Sequence, residues 1–288
     1  ITFWKTLNGS STSQAVTLNA GTAGLIEFKG AVGNSSPLST LTVSQSNGVL
    51  FSSSVETNVA VRLDDSTGTI TFAGNLKTPQ LVTASKPYNL ELLGASTQIT
   101  ATGASTSTAF INTGYLTLGN DSTDQLLFAG GLSATAPSAI NVAGGISTTG
   151  TAMTLGDSDT ALTLTQNVSL ATAGGALSIN GAVYGASANT QSLSLDAGSA
   201  GVVSVTGALG GVLGSSKSLN KLTLVNSAGA SFTQAVVADD SVVLTDTTGT
   251  ITFAGNLTTP KLVTASRPYN LALLGSSTQI TATGGSAS

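Results

Sequence analysis

A long internal repeat constrains this chain more than any other feature of its sequence. Residues 67–103 align without gaps on residues 248–284 and differ from them at five positions, four of which involve a charged residue. Every Ile, Leu, Val, Phe, Gly and Pro is the same in both copies. With a length difference near Gly211, the similarity extends upstream to give a long repeat of 17–103 and 194–284. Because a shared core keeps its apolar residues while solvent positions vary, we interpret the repeat as a stacked structural unit.

A second, shorter repeat places residues 117–146 over residues 154–183 at an offset of 37 with no gap. Both repeats contain an aromatic or β-branched residue, a spacer, Gly, a spacer, and Leu or Val. The residues before the first spacer are Phe28, Phe72, Phe128, Val205 and Phe253, and the glycines are Gly30, Gly74, Gly130, Gly207 and Gly255. Asn167 stands at the glycine position of the shorter repeat. Since Gly and Asn both tolerate positive φ, the pattern predicts a left-handed bend or bulge between two strands.

Short strands account for nearly all of the predicted secondary structure. Apolar and small polar residues alternate with a period of two in runs such as Leu116–Leu118, and turn-forming residues recur about every ten positions. Fixed-period repeats of this kind predict an all-β parallel β-helix, with coils of about 20 residues. We expect one continuous solenoid over residues 1–288, in which Phe28, Phe72, Phe128 and Phe253 belong to one stacked ladder. The alternative is a pair of β-sandwich modules, for which an offset of 37 is too short.

Composition excludes several functional classes. Only 8% of residues are charged and the net charge is −4, which disfavours a nucleic-acid partner because phosphate binding needs clustered Lys and Arg. The chain has no His and no Cys, so the commonest general base, the thiol nucleophile and disulfides are all missing. No apolar run is long enough for a transmembrane helix. The three Glu residues, Glu27, Glu56 and Glu91, are far apart in sequence, so paired carboxylate catalysis is disfavoured.

Acidic residues concentrate in one turn of the repeating unit. Hard cations such as calcium bind several oxygen ligands, and the candidate ligands are Asp64, Asp65, Asp157 and Asp159. The competing interpretation is that each Asp caps its own backbone in an Asx turn. The glycine-rich nonapeptide of calcium-binding β-rolls is absent. Calcium is therefore the one candidate cofactor, and no other cofactor is expected.

A cation, a Pro and a Tyr also recur together, as KPYNL at Lys86–Leu90 and RPYNL at Arg267–Leu271. Tyr can stack on a sugar and a nearby cation can bind an anionic group, which makes Lys86, Tyr88, Arg267 and Tyr269 candidate ligand-binding residues. A Pro-fixed corner whose Tyr covers the edge of a coil is the structural alternative.

The pattern G-x-I-x-F-x-G-x-L between spacers of Ser, Thr, Gly and Asn resembles filamentous haemagglutinin-like bacterial exoproteins and autotransporter passenger domains. This resemblance implies a right-handed parallel β-helix, secretion to the extracellular space or the bacterial cell surface, and a non-catalytic role in attachment or matrix. The expected partners are the chain itself, end to end or within a longer repeat chain, and cell-surface glycans. The alternatives are a carbohydrate lyase or hydrolase on a β-helix and a calcium-dependent tandem β-sandwich adhesin.

Overall fold

The computed structural model describes residues 1–11, 13–103 and 106–281, which contain β-strands and no α-helix. The chain divides into two compact units, Ile1–Thr149 (unit 1) and Gly150–Ser288 (unit 2). In each unit, parallel strands stack about 21 residues apart, and the described chain makes about 13 such turns of a β-solenoid. No helix in the described ranges could cross a membrane.

In its described residues, unit 1 contains fifteen strands, most of them short. They are β1 (Thr2–Phe3), β2 (Ala15–Asn19), β3 (Ile26–Phe28), β4 (Leu38–Phe51), β5 (Val55–Leu63), β6 (Ser66–Phe72), β7 (Leu76–Thr78), β8 (Gln80–Thr83), β9 (Asn89–Leu92), β10 (Ser96–Ile99), β11 (Thr108–Ala109), β12 (Leu116–Leu118), β13 (Gln125–Phe128), β14 (Leu132–Ala134) and β15 (Ile140–Ser147).

Parallel pairing arranges the inward side chains of unit 1 in three ladders. The first ladder runs through Phe3, Phe28, Phe51, Phe72, Leu92, Leu118 and Val142. The second runs through Leu7, Val32, Val55, Leu76, Thr97, Leu126 and Ile146. The third begins with Leu18, Val43, Leu63 and Thr83. Each turn therefore contributes a strand to three faces around a shared apolar interior.

Unit 2, over residues 150–281, contains fourteen strands with the same parallel pairing. They are β16 (Met153–Leu155), β17 (Leu162–Ala171), β18 (Leu177–Ile179), β19 (Val183–Gly185), β20 (Ser192–Asp196), β21 (Val203–Val205), β22 (Leu219–Ser227), β23 (Ala230–Phe232), β24 (Val236–Thr247), β25 (Thr250–Phe253), β26 (Leu257–Thr259), β27 (Lys261–Thr264), β28 (Asn270–Leu273) and β29 (Thr278–Ile280).

Unit 2 also has three ladders. They are Leu155, Ile179, Val205, Phe232, Phe253 and Leu273; Leu162, Val183, Leu209, Val236, Leu257 and Thr278; and Val168, Leu193, Leu222, Val242 and Leu262. Period-two alternation causes this arrangement, since it sends alternate side chains to opposite faces of a strand. In β12, for example, Leu116 and Leu118 are buried while Thr117 between them faces outward.

The parallel pairing confirms the all-β solenoid and shows that the β-sandwich alternative is wrong, because sandwiches are built from antiparallel sheets. One turn spans 24 residues where Leu116 pairs with Ile140 and 26 residues where Leu177 pairs with Val203. The repeat offset of 37 residues therefore lies between one and two turns. The shorter repeat therefore relates equivalent strand-and-turn segments and does not mark a whole number of turns.

The phenylalanines do not form the single ladder expected from the sequence. Phe28 and Phe72 belong to one ladder, but Phe51 lies between them, with ring centroids 5.1 Å from Phe28 and 4.6 Å from Phe72. Phe128 pairs with Ile99 in another ladder and contacts Phe110 edge-to-face at 5.7 Å. Phe253, in unit 2, stacks on Phe232 at 4.8 Å. The F-x-G pattern does not occur at Phe51 or Phe232, so it identified only part of each stack.

The glycines of the F-x-G pattern have φ angles outside the left-handed region, so the predicted bend is wrong. Their role is to allow close approach of consecutive turns. A Cβ on Gly74 would lie 2.3 Å from the carbonyl carbon of Ser53, and one on Gly255 would lie 2.2 Å from that of Gln234. A side chain at these positions would overlap the backbone of the neighbouring turn.

Asn167, which the sequence placed at the glycine position, also has no positive φ. Its Oδ1 accepts a hydrogen bond from the backbone N–H of Ser192 at 2.9 Å. Asn75, the residue after Gly74, does the same with Ser96 at 3.0 Å. Asn167 therefore makes the same kind of hydrogen bond to the next turn as Asn75, which stands one residue after the glycine of its pattern.

Candidate functional site

Asp64 and Asp65 lie in the corner between β5 and β6, where both residues form hydrogen bonds or ion pairs with neighbouring turns. The backbone N–H of Asp64 donates to the carbonyl of Val43 at 2.9 Å. The two carboxylate oxygens of Asp65 contact different partners, since Oδ2 accepts from Gln45 Nε2 at 3.3 Å and Oδ1 pairs with Lys86 Nζ at 3.2 Å. The Asp65 side chain therefore ties three consecutive turns together at their corner.

The equivalent ion pair exists in unit 2, where Arg267 Nε lies 3.3 Å from Asp246 Oδ1. Asp246 is the repeat equivalent of Asp65, as Arg267 is of Lys86. Both cations proposed as ligand-binding residues thus pair with an acid of the preceding turn. Exposed ion pairs of this kind contribute about 0–1 kcal/mol to stability. Their main effect here is to orient the cation along the stacking direction.

The two tyrosines of these corners lie in different surroundings. Tyr88 is fully buried, and its hydroxyl accepts from the N–H of Ala84 at 3.0 Å and donates to the carbonyl of Leu63 at 3.3 Å. Burial raises the pKa of Tyr88 to about 12. The ring therefore presents no face on which a sugar could stack. Tyr269 is half-buried, and its hydroxyl has no hydrogen-bond partner among the described residues.

Asp157 and Asp159 lie in the turn between β16 and β17, and Asp157 forms an Asx turn. Its Oδ1 accepts from the N–H of Asp159 at 3.0 Å and of Thr160 at 2.8 Å. These hydrogen bonds hold the pKa of the Asp157 carboxyl below its ordinary value. Asp159 Oδ1 accepts from the hydroxyl of Ser158 at 3.2 Å. Over the described ranges, no group of three or more acidic, His or Cys residues is placed to hold a metal ion.

A polar cluster that the sequence did not predict lies on the outward side of the first ladder of unit 1. We call it the Glu91 cluster; its members are Thr69, Thr71, Asn89, Glu91 and Tyr115. Glu91 accepts from Thr71 Oγ1 at 2.8 Å and from the Tyr115 hydroxyl at 2.7 Å. Asn89 donates to Thr69 Oγ1 at 3.2 Å and accepts from the Tyr115 N–H at 3.1 Å. Desolvation, followed by the bond to Glu91, raises the pKa of Tyr115.

Sequence reasoning missed this cluster because Glu91 and Tyr115 are neighbours only through stacking of β9 and β12. The one available signal was the replacement of Glu91 by Ala272 in the second copy of the repeat. Because the second copy has Ala at this position, the Glu91 carboxylate has no counterpart in unit 2.

The cluster holds a single carboxylate, that of Glu91, and its hydrogen bonds connect its own members. Glu27 shares its outward row, with Leu50 and Thr71 between the two acids. Three ladder steps of about 4.8 Å place these carboxylates roughly 14 Å apart. Glycoside hydrolases hold their two carboxyl groups at most about 9.5 Å apart. The geometry therefore lacks the acid–base pair of such enzymes along this row.

Comparison with known proteins gives no match for the chain among family models, curated proteins or solved structures.

Proposed function

We propose that this chain is a structural segment of an extracellular or cell-surface filament or adhesin, acting in attachment or matrix without catalysis. The observation that carries the proposal is the ladder architecture itself, in which each turn packs on its neighbours through inward apolar rows. Repeat proteins of this kind gain stability turn by turn and can therefore be extended without a new core. Such a scaffold suits a load-bearing or spacing role.

The outward side chains support the same role. Small hydroxyl residues occupy outward positions in successive strands of unit 2, namely Thr154, Ser178, Ser204, Ser231 and Thr252. A surface of this kind is polar with few charges, in keeping with the composition. The proposed partners are further copies of the chain or of its repeats, arranged end to end, and glycans on cell surfaces.

Surface labelling of the cells that make the protein tests the proposed location. An antibody raised against the folded chain should label intact cells as strongly as permeabilised ones, with a cytoplasmic marker as control. Labelling that requires permeabilisation contradicts an extracellular or surface role.

The Glu91 cluster favours a second candidate, a carbohydrate-active enzyme on the same scaffold, because it combines a carboxylate with a tyrosine. Incubation with a panel of polysaccharides, read as reducing ends and unsaturated sugars, separates the two functions. We expect no release above that of the Glu91→Ala variant, which carries the residue found in the second copy. Release by the native chain that disappears in the variant establishes the enzyme instead.

A further inference from the structure

The outward row that contains Glu91 continues with polar side chains on the next two strands of unit 1. Glu91 of β9 pairs with Thr117 of β12, and Thr117 pairs with Asn141 of β15. Together with Thr71 of β6, these residues are here called the Glu91 row. Because neighbouring strands lie about 4.8 Å apart, the four side chains form a polar strip roughly 14 Å long, enough to contact more than one sugar ring. Tyr115 lies beside this strip and donates its hydroxyl hydrogen to Glu91 at 2.7 Å.

The Glu91 row keeps hydrogen-bonding capacity that its internal bonds do not use. A carboxylate offers about four acceptor positions. Among the described residues, the Glu91 oxygens accept only from the hydroxyls of Thr71 and Tyr115. Asn141 donates one amide hydrogen to Thr117 Oγ1 at 3.4 Å, and its Oδ1 has no hydrogen-bond partner in the same part of the chain. All four members of the row are half-buried, so solvent still reaches them.

The charge of the row disfavours an anionic ligand. Glu91 takes part in none of the ion pairs formed by the described residues. A carboxylate with no cation beside it repels the carboxylate of a sialic or uronic acid and the sulfate of a sulfated sugar. The hydroxyls of a neutral sugar can instead donate to a carboxylate and accept from an amide, and a Tyr ring can pack against the apolar face of the sugar.

Internal hydrogen bonds also hold the two central side chains in place before a ligand arrives. The hydroxyls of Thr71 and Tyr115 orient the Glu91 carboxylate, and the backbone N–H of Tyr115 donates to Asn89 Oδ1 at 3.1 Å. Side chains that are already restricted lose less conformational entropy on binding. In the second copy of the repeat, residues 250–253 and 270–273 match residues 69–72 and 89–92 except for Ala272 in place of Glu91. The carboxylate is therefore the one difference between these strand segments.

We propose that the Glu91 row and the Tyr115 ring bind a neutral oligosaccharide. This inference rests on the proposed attachment function, and it specifies the class of glycan and the residues that contact it. Hydroxyls of one sugar donate to the free acceptor positions of Glu91, and the Asn141 amide contacts the neighbouring sugar. The Tyr115 ring packs against a sugar face. The interaction is binding alone, and no bond of the glycan is broken.

A glycan array carrying neutral, sialylated and sulfated oligosaccharides tests the class of ligand. The full chain is biotinylated and assembled on streptavidin, because multivalent display raises a weak affinity to a detectable level. We expect binding to neutral glycans and not to anionic ones. Binding confined to sialylated or sulfated glycans overturns the proposal, and so does a native chain that binds nothing on the array.

Titration of the residue variants tests the site itself. The neutral oligosaccharide with the strongest array signal is titrated in free form, with binding followed by nuclear magnetic resonance. Glu91→Ala should weaken its binding at least about tenfold, because hydrogen bonds to charged groups contribute about 1.5–3 kcal/mol each. The second copy already carries this Ala, and thermal melting checks the fold.

Two further variants complete this titration. Tyr115→Phe keeps the ring and removes the hydroxyl that orients Glu91, so it should cause a smaller loss of affinity than Glu91→Ala. Glu56→Ala is the matched control, since it removes a carboxylate that pairs with Lys77 away from the row, and it should bind like the native chain. Unchanged affinity in Glu91→Ala, or an equal loss in Glu56→Ala, contradicts the site.

Salt dependence distinguishes a neutral glycan from a basic peptide as the occupant of the row. A neutral sugar has no charge to screen, so its affinity should change little between low and high salt. Poly-lysine that binds the native chain at low salt but not Glu91→Ala, with no neutral glycan bound, shows that a basic partner occupies the row and overturns the proposal. Surface labelling tests the location separately. A surface-labelled chain that binds no neutral glycan overturns this site and leaves the structural role, whereas a chain that binds neutral glycans but is found inside cells contradicts the location and leaves the site.

Discussion

Tyr88 and Tyr269 occupy the same position in the two copies of the repeat but differ in their hydrogen bonds. The Tyr88 hydroxyl has two backbone partners, and that of Tyr269 has none among the described residues. We therefore expect Tyr88→Phe to lower the free energy of unfolding by about 1–3 kcal/mol, because it leaves buried backbone groups unpaired. Tyr269→Phe should be close to neutral. Urea unfolding of both variants measures the difference, and equal losses contradict the assigned hydrogen bonds.

The raised pKa of Tyr88 predicts how the free energy of unfolding changes at alkaline pH. Its folded pKa is raised from 10.0 to about 12. A raised pKa means that the folded state holds the phenol proton more tightly than the unfolded state does. The stabilisation that protonated Tyr88 contributes is therefore complete below pH 10 and is lost as the pH rises through about 12. The stability difference between the native chain and Tyr88→Phe should therefore shrink over this interval. Chemical unfolding at several pH values checks this, and a constant difference contradicts the shift.

Asp157 uses its carboxylate to hold a backbone turn rather than to present oxygens outward. We expect the melting temperature to be the same in calcium and in a chelator. Asp157→Ala should lower the melting temperature equally under both conditions, because the lost hydrogen bonds lie within the turn and involve no metal ion. Differential scanning calorimetry of the four samples tests this, with Asp240→Ala as an exposed control. A calcium-dependent rise that Asp157→Ala removes establishes the metal site instead.

At the level of strands and turns, glycine serves two different purposes in this chain. Gly74 allows close contact between turns, whereas Gly21 has a φ of 70° and no atom within 4 Å of the place where a Cβ would lie. Gly74→Ala should cost about 1–3 kcal/mol or more, because its Cβ meets rigid backbone. Gly21→Ala should cost about 1 kcal/mol, the strain of a left-handed Ala. The midpoints of denaturant unfolding measure the loss of stability in both variants. A larger loss for Gly21→Ala than for Gly74→Ala shows that the strain of the left-handed backbone outweighs the overlap between turns.

The phenylalanine stacks link consecutive turns. The rings of Phe3 and Phe28 lie 4.4 Å apart and parallel, and Phe51 and Phe72 continue the stack. Stacked rings contribute about 0.5–1.5 kcal/mol per pair beyond their burial. In a fold where each turn contacts its neighbours, such stacks determine how far a local defect spreads.

For the whole molecule, this nearest-neighbour architecture predicts that damage stays local. Phe51→Ala should cost about 3–5 kcal/mol and raise amide exchange in β3, β4 and β6, leaving β21 and β23 protected. Phe232→Ala, in the stack of unit 2, should give the reverse pattern. Hydrogen-exchange mass spectrometry of both variants measures this. Uniform loss of protection in either variant shows that the chain unfolds as a single cooperative body.

The sequence alone predicted the all-β solenoid, a turn of about 20 residues, and burial of the phenylalanines. These properties follow from period-two alternation and from repeated turn residues, which are local signals. Asp157 was also recognised, with the Asx turn as its structural alternative, and its hydrogen bonds from the backbone N–H groups of Asp159 and Thr160 form that turn. The ion pair between Lys86 and Asp65 was not predicted.

Only the tertiary structure decided which residues are neighbours across turns. Phe51 joined the stack of Phe28 and Phe72, Phe128 lay in another ladder, and Glu91 met Tyr115. The spacing between ladder partners varies from turn to turn, because loops such as 210–218 add residues without adding a strand. Each added residue changes which side chain reaches the next position, so every cross-turn contact depends on the length of the turn between its two residues. Local patterns do not fix that length, and for that reason the Glu91 cluster and the close approach at Gly74 required the folded chain.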